Sequence, residues 1–205
     1  MTAAWDAETV EAIADGVRAV VLVEGLSDRA ALEALATMRG DDLAGEGVGI
    51  VAIGGATNIA RYLALYGPQG RRLLLAGLCD AGEERIFRRH LTRAGIGDDL
   101  TRPAMEQLGF FVCDLDLEDE LISALGVDAV ERVIEQQGEL ASLRIMQRQP
   151  AQRGRTAEQQ LRRFIGTRSG RKTRYGHLLV EALEPDQVPA PLAGVLDWVR
   201  SRLPT

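Results

Sequence analysis

Short apolar runs alternate with longer stretches in which apolar residues recur every three or four positions, and this alternation organises the first half of the chain. The runs Val17 to Val23, GVGIVAI at 47–53, Leu73 to Cys79 and Phe110 to Cys113 are too short for helices, so each is read as a strand. Between the first two, Ala30, Ala31, Leu32, Leu35 and Met38 recur at helical spacing, behind Ser27 as a cap and ahead of Gly40 as a stop. Thr57 to Tyr66, ended by Gly67-Pro68, and the arginine-studded residues 83–94 give two more helices, and residues 7–15 a short leading one. Strands that are apolar throughout and alternate with helices predict an α/β fold: a parallel central sheet of about four strands with helices on both faces.

After Glu118 the strand pattern does not return. Helical stretches near 118–125, 127–137, 139–147, 156–165, 172–183 and 191–203 fill the remainder, broken around Gly154, Gly166 to Gly170 and Pro185 to Pro191. The expected organisation is an α/β core over residues 1–126 and a helical extension over 127–205, packed on or beside the core.

Composition adds that the core is aliphatic, since 46% of residues are hydrophobic but only 4% aromatic. No apolar run approaches the 18 residues of a membrane span, and MTAAWDAETVEAIADG lacks a basic-then-apolar signal pattern. A cytoplasmic location without membrane attachment is expected. Cys79 and Cys113 each close an apolar run and are read as small buried side chains rather than a disulfide.

Charge changes the picture more. The chain carries −6 overall, yet residues 144–174 hold ten basic side chains against the single acid Glu158, a local +9 that leaves −15 elsewhere. Such a surface attracts phosphates even on an acidic protein, although a solvated arginine-rich helix face gives the same count. The remaining acids fall where strands end. The first strand ends in Glu24, with Asp28 four residues on; the third ends in Asp80; the fourth ends in Asp114, followed by Asp116 and Glu118. Ligands of open parallel sheets bind at the carboxyl ends of the strands, and carboxylates converging there repel unless a hard cation such as Mg²⁺ or Mn²⁺ sits between them. Taken singly, Asp28 or Asp116 reads as a helix cap or first-turn acid; three strand ends together favour metal.

These residues resemble a known family. VVLVEGLSDRAALEAL resembles the first motif of TOPRIM domains, and GLCDAGEE their later Asp motif. FFVCDLDLEDELISALG and then GRKTRYGHLLVEAL resemble the TOPRIM module of the overcoming-lysogenization-defect (OLD) family of endonucleases, over about residues 18–183. The resemblance implies a Rossmann-like TOPRIM fold in which Glu24 and Asp28 form the first acidic pair, Asp80 the next motif's Asp and Glu118 the Glu of a Leu-Glu pair opening a helix. Lys172 matches a late Lys that enters the site. The usual Asp-x-Asp is broken, because Gly82 stands two beyond Asp80, with Glu83 and Glu84 as the available substitutes; this leaves open whether one metal ion binds or two. OLD proteins also carry an ABC-type ATPase, whereas this sequence has no Gly-x-x-x-x-Gly-Lys-Ser/Thr, so a stand-alone module with any ATPase on a partner is expected.

Lys172 stands out without the family, as the single lysine among 24 basic residues. A compact ammonium differs from guanidinium in its tunable pKa, which suits a catalytic position. His177 is read as a surface or packing residue. The residues and the resemblance together imply metal-dependent phosphodiester hydrolysis of nucleic acid; DNA is expected over RNA by the resemblance, and the residues themselves leave that choice open. Glu24 and Lys172 are the catalytic candidates; Glu24, Asp28, Asp80 and Glu118 are metal ligands, with Asp114 and Asp116 second-tier. Arg162, Arg163, Arg168, Arg171 and Arg174 would contact the nucleic-acid backbone. A non-catalytic regulatory subunit is the main alternative and a Mg²⁺-dependent phosphatase built on Asp114-Leu-Asp116 the lesser one. A homodimer through 127–147 or 191–203 stays open.

Overall fold

A computed structural model describes residues 16–167 and 170–203; the expected leading helix at 7–15 and Arg168 lie outside the described residues. Four strands, β1 (Ala19–Val23), β2 (Val48–Ala52), β3 (Leu74–Asp80) and β4 (Phe110–Cys113), form one parallel sheet in the order β2-β1-β3-β4. The chain leaves β1 for one edge and returns to its other side with β3. The topological switch therefore lies between β1 and β3, where the carboxyl ends of parallel strands open a crevice.

Side-chain alternation divides the core into two layers. Ala19, Val21 and Val23 of β1 join one buried cluster, while Val20 and Leu22 join the other, and all five are fully buried. One face is covered by α2 (Ile59–Tyr66), α3 (Glu84–Arg93) and α4 (Arg102–Gln107), which supply Tyr62, Tyr66, Phe87, Leu91 and Met105. The other is covered by α1 (Leu26–Arg39) and by the helices that follow the sheet: α5 (Leu117–Leu125), α6 (Val127–Gln136), α7 (Leu140–Gln147), α8 (Ala157–Gly166), α9 (Arg171–Glu181) and α10 (Ala190–Arg200). Residues after 126 thus pack continuously with β1, β3 and α1 in one cluster.

α4 is absent from the sequence expectation, although its start was encoded: Thr101 caps Ala104 N–H at 3.3 Å and Pro103 occupies the first turn. Two glycines set how the later helices approach. Gly109, at φ +88°, lies under the Trp198 indole of α10, where a Cβ would stand 2.6 Å from the ring. Gly176 of α9 faces the backbone of Ser27, and a Cβ there would lie 2.8 Å from its carbonyl oxygen. Without a side chain at 176, α9 packs directly on the first turn of α1, which brings Lys172, one helical turn earlier, to the carboxyl edge of the sheet. Both cysteines are buried free thiols. Among the described residues no helix is long and apolar enough to cross a membrane.

Candidate metal centre and adjoining basic cleft

Four elements deliver carboxylates to the switch between β1 and β3. Glu24 follows the last residue of β1, and its Oε1 accepts from the Asp80 N–H at 2.9 Å, which ties the ends of the two central strands together. Asp28 sits in the first turn of α1, 7% exposed, with Oδ2 accepting from Gly25 N–H at 2.8 Å. This is a capping contact, and it holds the carboxylate against the strand end. Asp80 closes β3 beside the Leu117 N–H at the start of α5, whose influence lowers its pKa. Glu118, in that same first turn, is 4% exposed; its Oε2 lies 3.1 Å from Lys172 Nζ, while its Oε1 is buried without a hydrogen-bond partner among the described residues.

Burial and mutual repulsion act together on this group. Desolvation, with the neighbouring charges of Asp80, Asp28 and Glu83, raises Glu24 to about 7 against the hydrogen bond from Asp80. Desolvation and the charges of Asp28 and Asp116 raise Asp80 to about 6. Glu118 is raised to about 7 by desolvation, although Lys172 pulls the other way, and Asp28 is raised by burial as well. Burial alone would lower Lys172, but Glu118, Asp28 and Asp80 outweigh it and its pKa is raised. One ammonium thus faces three carboxylates, with Glu24 as a fourth beside Asp80 and Asp28, and protons or metal cations balance the excess.

The donor set is all oxygen, which suits a hard divalent ion, and the unpartnered Glu118 Oε1 is an available ligand atom. Among the described residues, no three acidic, histidine or cysteine side chains stand close enough to enclose an ion by themselves. Mg²⁺ commonly takes only one or two carboxylates and keeps several waters, so an open set of this kind fits it better than a closed cage would.

Other candidates fall elsewhere. Asp114 is a correction: its side chain is 87% exposed and pairs with Arg102 at 2.8 Å, because the alternation that turns Cys113 toward the α1 layer turns Asp114 toward α4. Asp116 has both oxygens engaged, Oδ1 capping the Asp119 N–H at 2.9 Å and Oδ2 accepting from Arg162 Nε at 2.7 Å. It anchors the start of α5 rather than offering a free ligand. Glu84 is taken by Arg102 and Arg88, leaving Glu83 as the substitute acid on the side of Glu24. Gly82 is exposed, with open space where a Cβ would stand.

The basic segment is also divided. Arg171 is 5% exposed, donates to the Phe164 carbonyl at 3.0 Å and to Glu139 Oε1 at 3.0 Å, and stacks 4.0 Å above the Phe164 ring. Such a residue is part of the core and not a backbone contact. Arg174 joins it on Glu139, at 2.6 Å. His177 pairs with Glu181 on the surface. Arg162 and Arg163, by contrast, line a cleft of about 680 Å³ that also includes Arg153, Arg155, Gln159, Glu118 and Lys172. Arg153 and Arg155 lay within the basic segment, but their side of the cleft was visible only once the loop before α8 had folded over that helix.

Residues 17–75 match the family model described as overcoming lysogenization defect protein-like, TOPRIM domain. That span contains Glu24 and Asp28 and stops before Asp80. The C-terminal region of the Xanthomonas campestris pv. campestris OLD protein superposes with a TM-score of 0.67 at 26% identity, covering 91% of this chain and 96% of that one. The C-terminal region of the Burkholderia pseudomallei OLD protein gives 0.67 at 24% identity, over 92% and 99%. Comparison with curated proteins gives no match. The chain is therefore similar to OLD-like TOPRIM domains over residues 17–75, and its likeness in fold to the OLD C-terminal regions extends through the C-terminal helices as well as the sheet.

Proposed function

We propose that this chain is a divalent-metal-dependent endonuclease of the TOPRIM type that hydrolyses phosphodiester bonds in DNA. The observation that carries the reading is the excess of desolvated carboxylate over cation at the β1/β3 switch: Glu24, Asp28, Asp80 and Glu118 against Lys172 alone. Burial and mutual repulsion raise three of these acids to about 6 or 7, the kind of perturbation that clusters at functional sites and that a bound cation would relieve. Those four residues would hold Mg²⁺ or Mn²⁺, which when bound supplies Lewis-acid activation of water and neutralises charge on the phosphate. Lys172, kept charged by three surrounding carboxylates, places a positive group where charge develops on the phosphoryl or leaving oxygen. Glu24 spans the two central strands and fixes the Asp80 backbone, so it both positions and provides a ligand. The relatives of known structure are C-terminal regions of OLD proteins, and an ABC-type ATPase as working partner belongs to this reading.

A second reading, a non-catalytic TOPRIM subunit, draws on Gly82 in place of an acid and on the absence of an enclosing triad among the described residues. Nicking of supercoiled plasmid with Mg²⁺, Mn²⁺ or EDTA separates the two. Metal-dependent nicking that falls about 100-fold or more in both Glu24→Gln and Lys172→Ala is expected. Metal binding by calorimetry without nicking would support the subunit instead.

A further inference from the structure

The arginines between Arg144 and Arg163 invite one undivided phosphate track, but their surroundings sort them. Arg144 is clamped by Glu131, while Arg153, Arg155, Arg162 and Arg163 line the cleft beside Lys172. The cleft contains two carboxylates, and each already has its cation, Asp116 with Arg162 and Glu118 with Lys172. Arg153, Arg155 and Arg163 are left with no acidic partner among the described residues. Three exposed like charges gathered along one cleft make a locally positive surface that attracts an anionic occupant.

The walls are fixed before any ligand arrives. Gln152, 5% exposed, roots the loop between the turn Pro150–Gln152 and α8, and its carbonyl accepts from Gln160 Nε2 at 3.2 Å. Thr156 caps α8 by accepting from the Gln159 N–H at 3.3 Å. The arginines therefore project from anchored backbone, which limits the ordering cost of binding. Among the described residues, the lining includes Ala151, Gly154 and Gly166 but no aromatic ring on which a base could stack. At about 680 Å³ the space matches a ligand of small-molecule scale, a few linked nucleotides rather than a duplex.

We infer that this cleft binds the backbone of a single nucleic-acid strand, with Arg153, Arg155 and Arg163 holding consecutive phosphates and leading the strand to Lys172 and Glu118. The inference rests on the nuclease reading and narrows its substrate: one strand, gripped by phosphate without base readout. Arg162 acts here as a positioning residue, since it holds Asp116 and with it the start of α5 that carries Glu118.

The test is fluorescence anisotropy of the full chain with a labelled 15-nucleotide single strand in EDTA, where cleavage does not interfere, across a salt series. Arg153→Ser/Arg155→Ser should weaken binding about tenfold or more and lower the salt slope by about 1.4, roughly 0.7 for each phosphate of the single strand that is no longer neutralised. The paired Lys variants should keep most of the slope. Arg93→Ser, an exposed control on the opposite layer, should bind like the parent protein. Oligo-dT and mixed-sequence strands should behave alike. If the parent protein binds and nicks while the double variant matches it in affinity and slope, or if Arg93→Ser costs as much, the cleft assignment falls and the nuclease reading stands. If the parent protein binds no nucleic acid and nicks none, the nuclease reading falls and takes the cleft with it.

Discussion

Two clusters flank the first turns of α9, and they settle the meeting of acids with bases in opposite ways. At Glu139 one carboxylate receives Arg171, Arg174 and the Tyr175 hydroxyl. Burial would raise its pKa, but those hydrogen bonds and charges outweigh it and the pKa is lowered. At the sheet edge, Asp28, Asp80 and Glu118 share Lys172 with Glu24 close by, and Glu24, Asp80 and Glu118 are raised instead. The first cluster is complete within the chain. The second lacks positive charge, and that deficit, more than an abundance of charged residues, is what the metal-binding proposal rests on. The arginine-rich segment taught the same lesson in reverse, since Arg171 contributes to the core what its charge suggested for the surface.

If Glu139 is structural, removing it should cost most. Glu139→Ala leaves Arg171 buried without its anion, and about 3 kcal/mol of stability should be lost in urea unfolding. A loss near zero would show that Arg171 finds water or another acceptor, and the contrast between the clusters would weaken. A smaller effect on stability with a larger one on chemistry is expected for Gly176→Ala. The added methyl meets the Ser27 carbonyl, costing about 1–3 kcal/mol, and the displaced α9 moves Lys172, so nicking should fall on the order of tenfold to 100-fold. Unchanged nicking in a stable variant would show that α9 tolerates the shift.

The smallest effect is the most diagnostic for the sheet edge. Glu24, Asp80 and Glu118 have folded pKa values of about 7, 6 and 7, above their ordinary ones, so the folded state binds protons more tightly than the unfolded chain. Their contribution is fully favourable below the ordinary carboxylate range and is lost as pH rises through about 6 to 7. Without metal, Tm should fall between pH 5 and pH 8; Mg²⁺ should recover part of the loss at pH 8, because the cation replaces the protons. Glu24→Gln should flatten the profile and, allowing for solvent screening of a half-exposed group, stabilise the metal-free protein at pH 8 by about 1 kcal/mol. A Tm that is flat with pH and indifferent to Mg²⁺ would mean that the carboxylates are not coupled as described.

The order of elements was legible in the sequence because it rests on local rules. Apolar runs of strand length, helical periodicity and stops at Gly40 and Gly67 gave the four strands and, among the described residues, every α-helix except α4 within a few residues. Glu24, Asp28, Asp80 and Glu118 were legible as well, since parallel strands leave their carboxyl ends on one edge whatever the rest of the fold does. Which other charges join them was not local. Asp114 and Asp116 are two residues apart, yet one turns to Arg102 and the other caps α5 and holds Arg162. Arg171 and Lys172 are adjacent, yet a helix turns successive residues about 100° apart, so one enters the core while the other reaches Glu118. Sequence by itself determined the sheet, its layers and the acids at its edge through periodicity and strand direction. Only the tertiary structure decided which cations those acids meet, because that depends on how α8 and α9 pack across α1 and α5, through contacts such as Gly176 on Ser27 that no local pattern specifies.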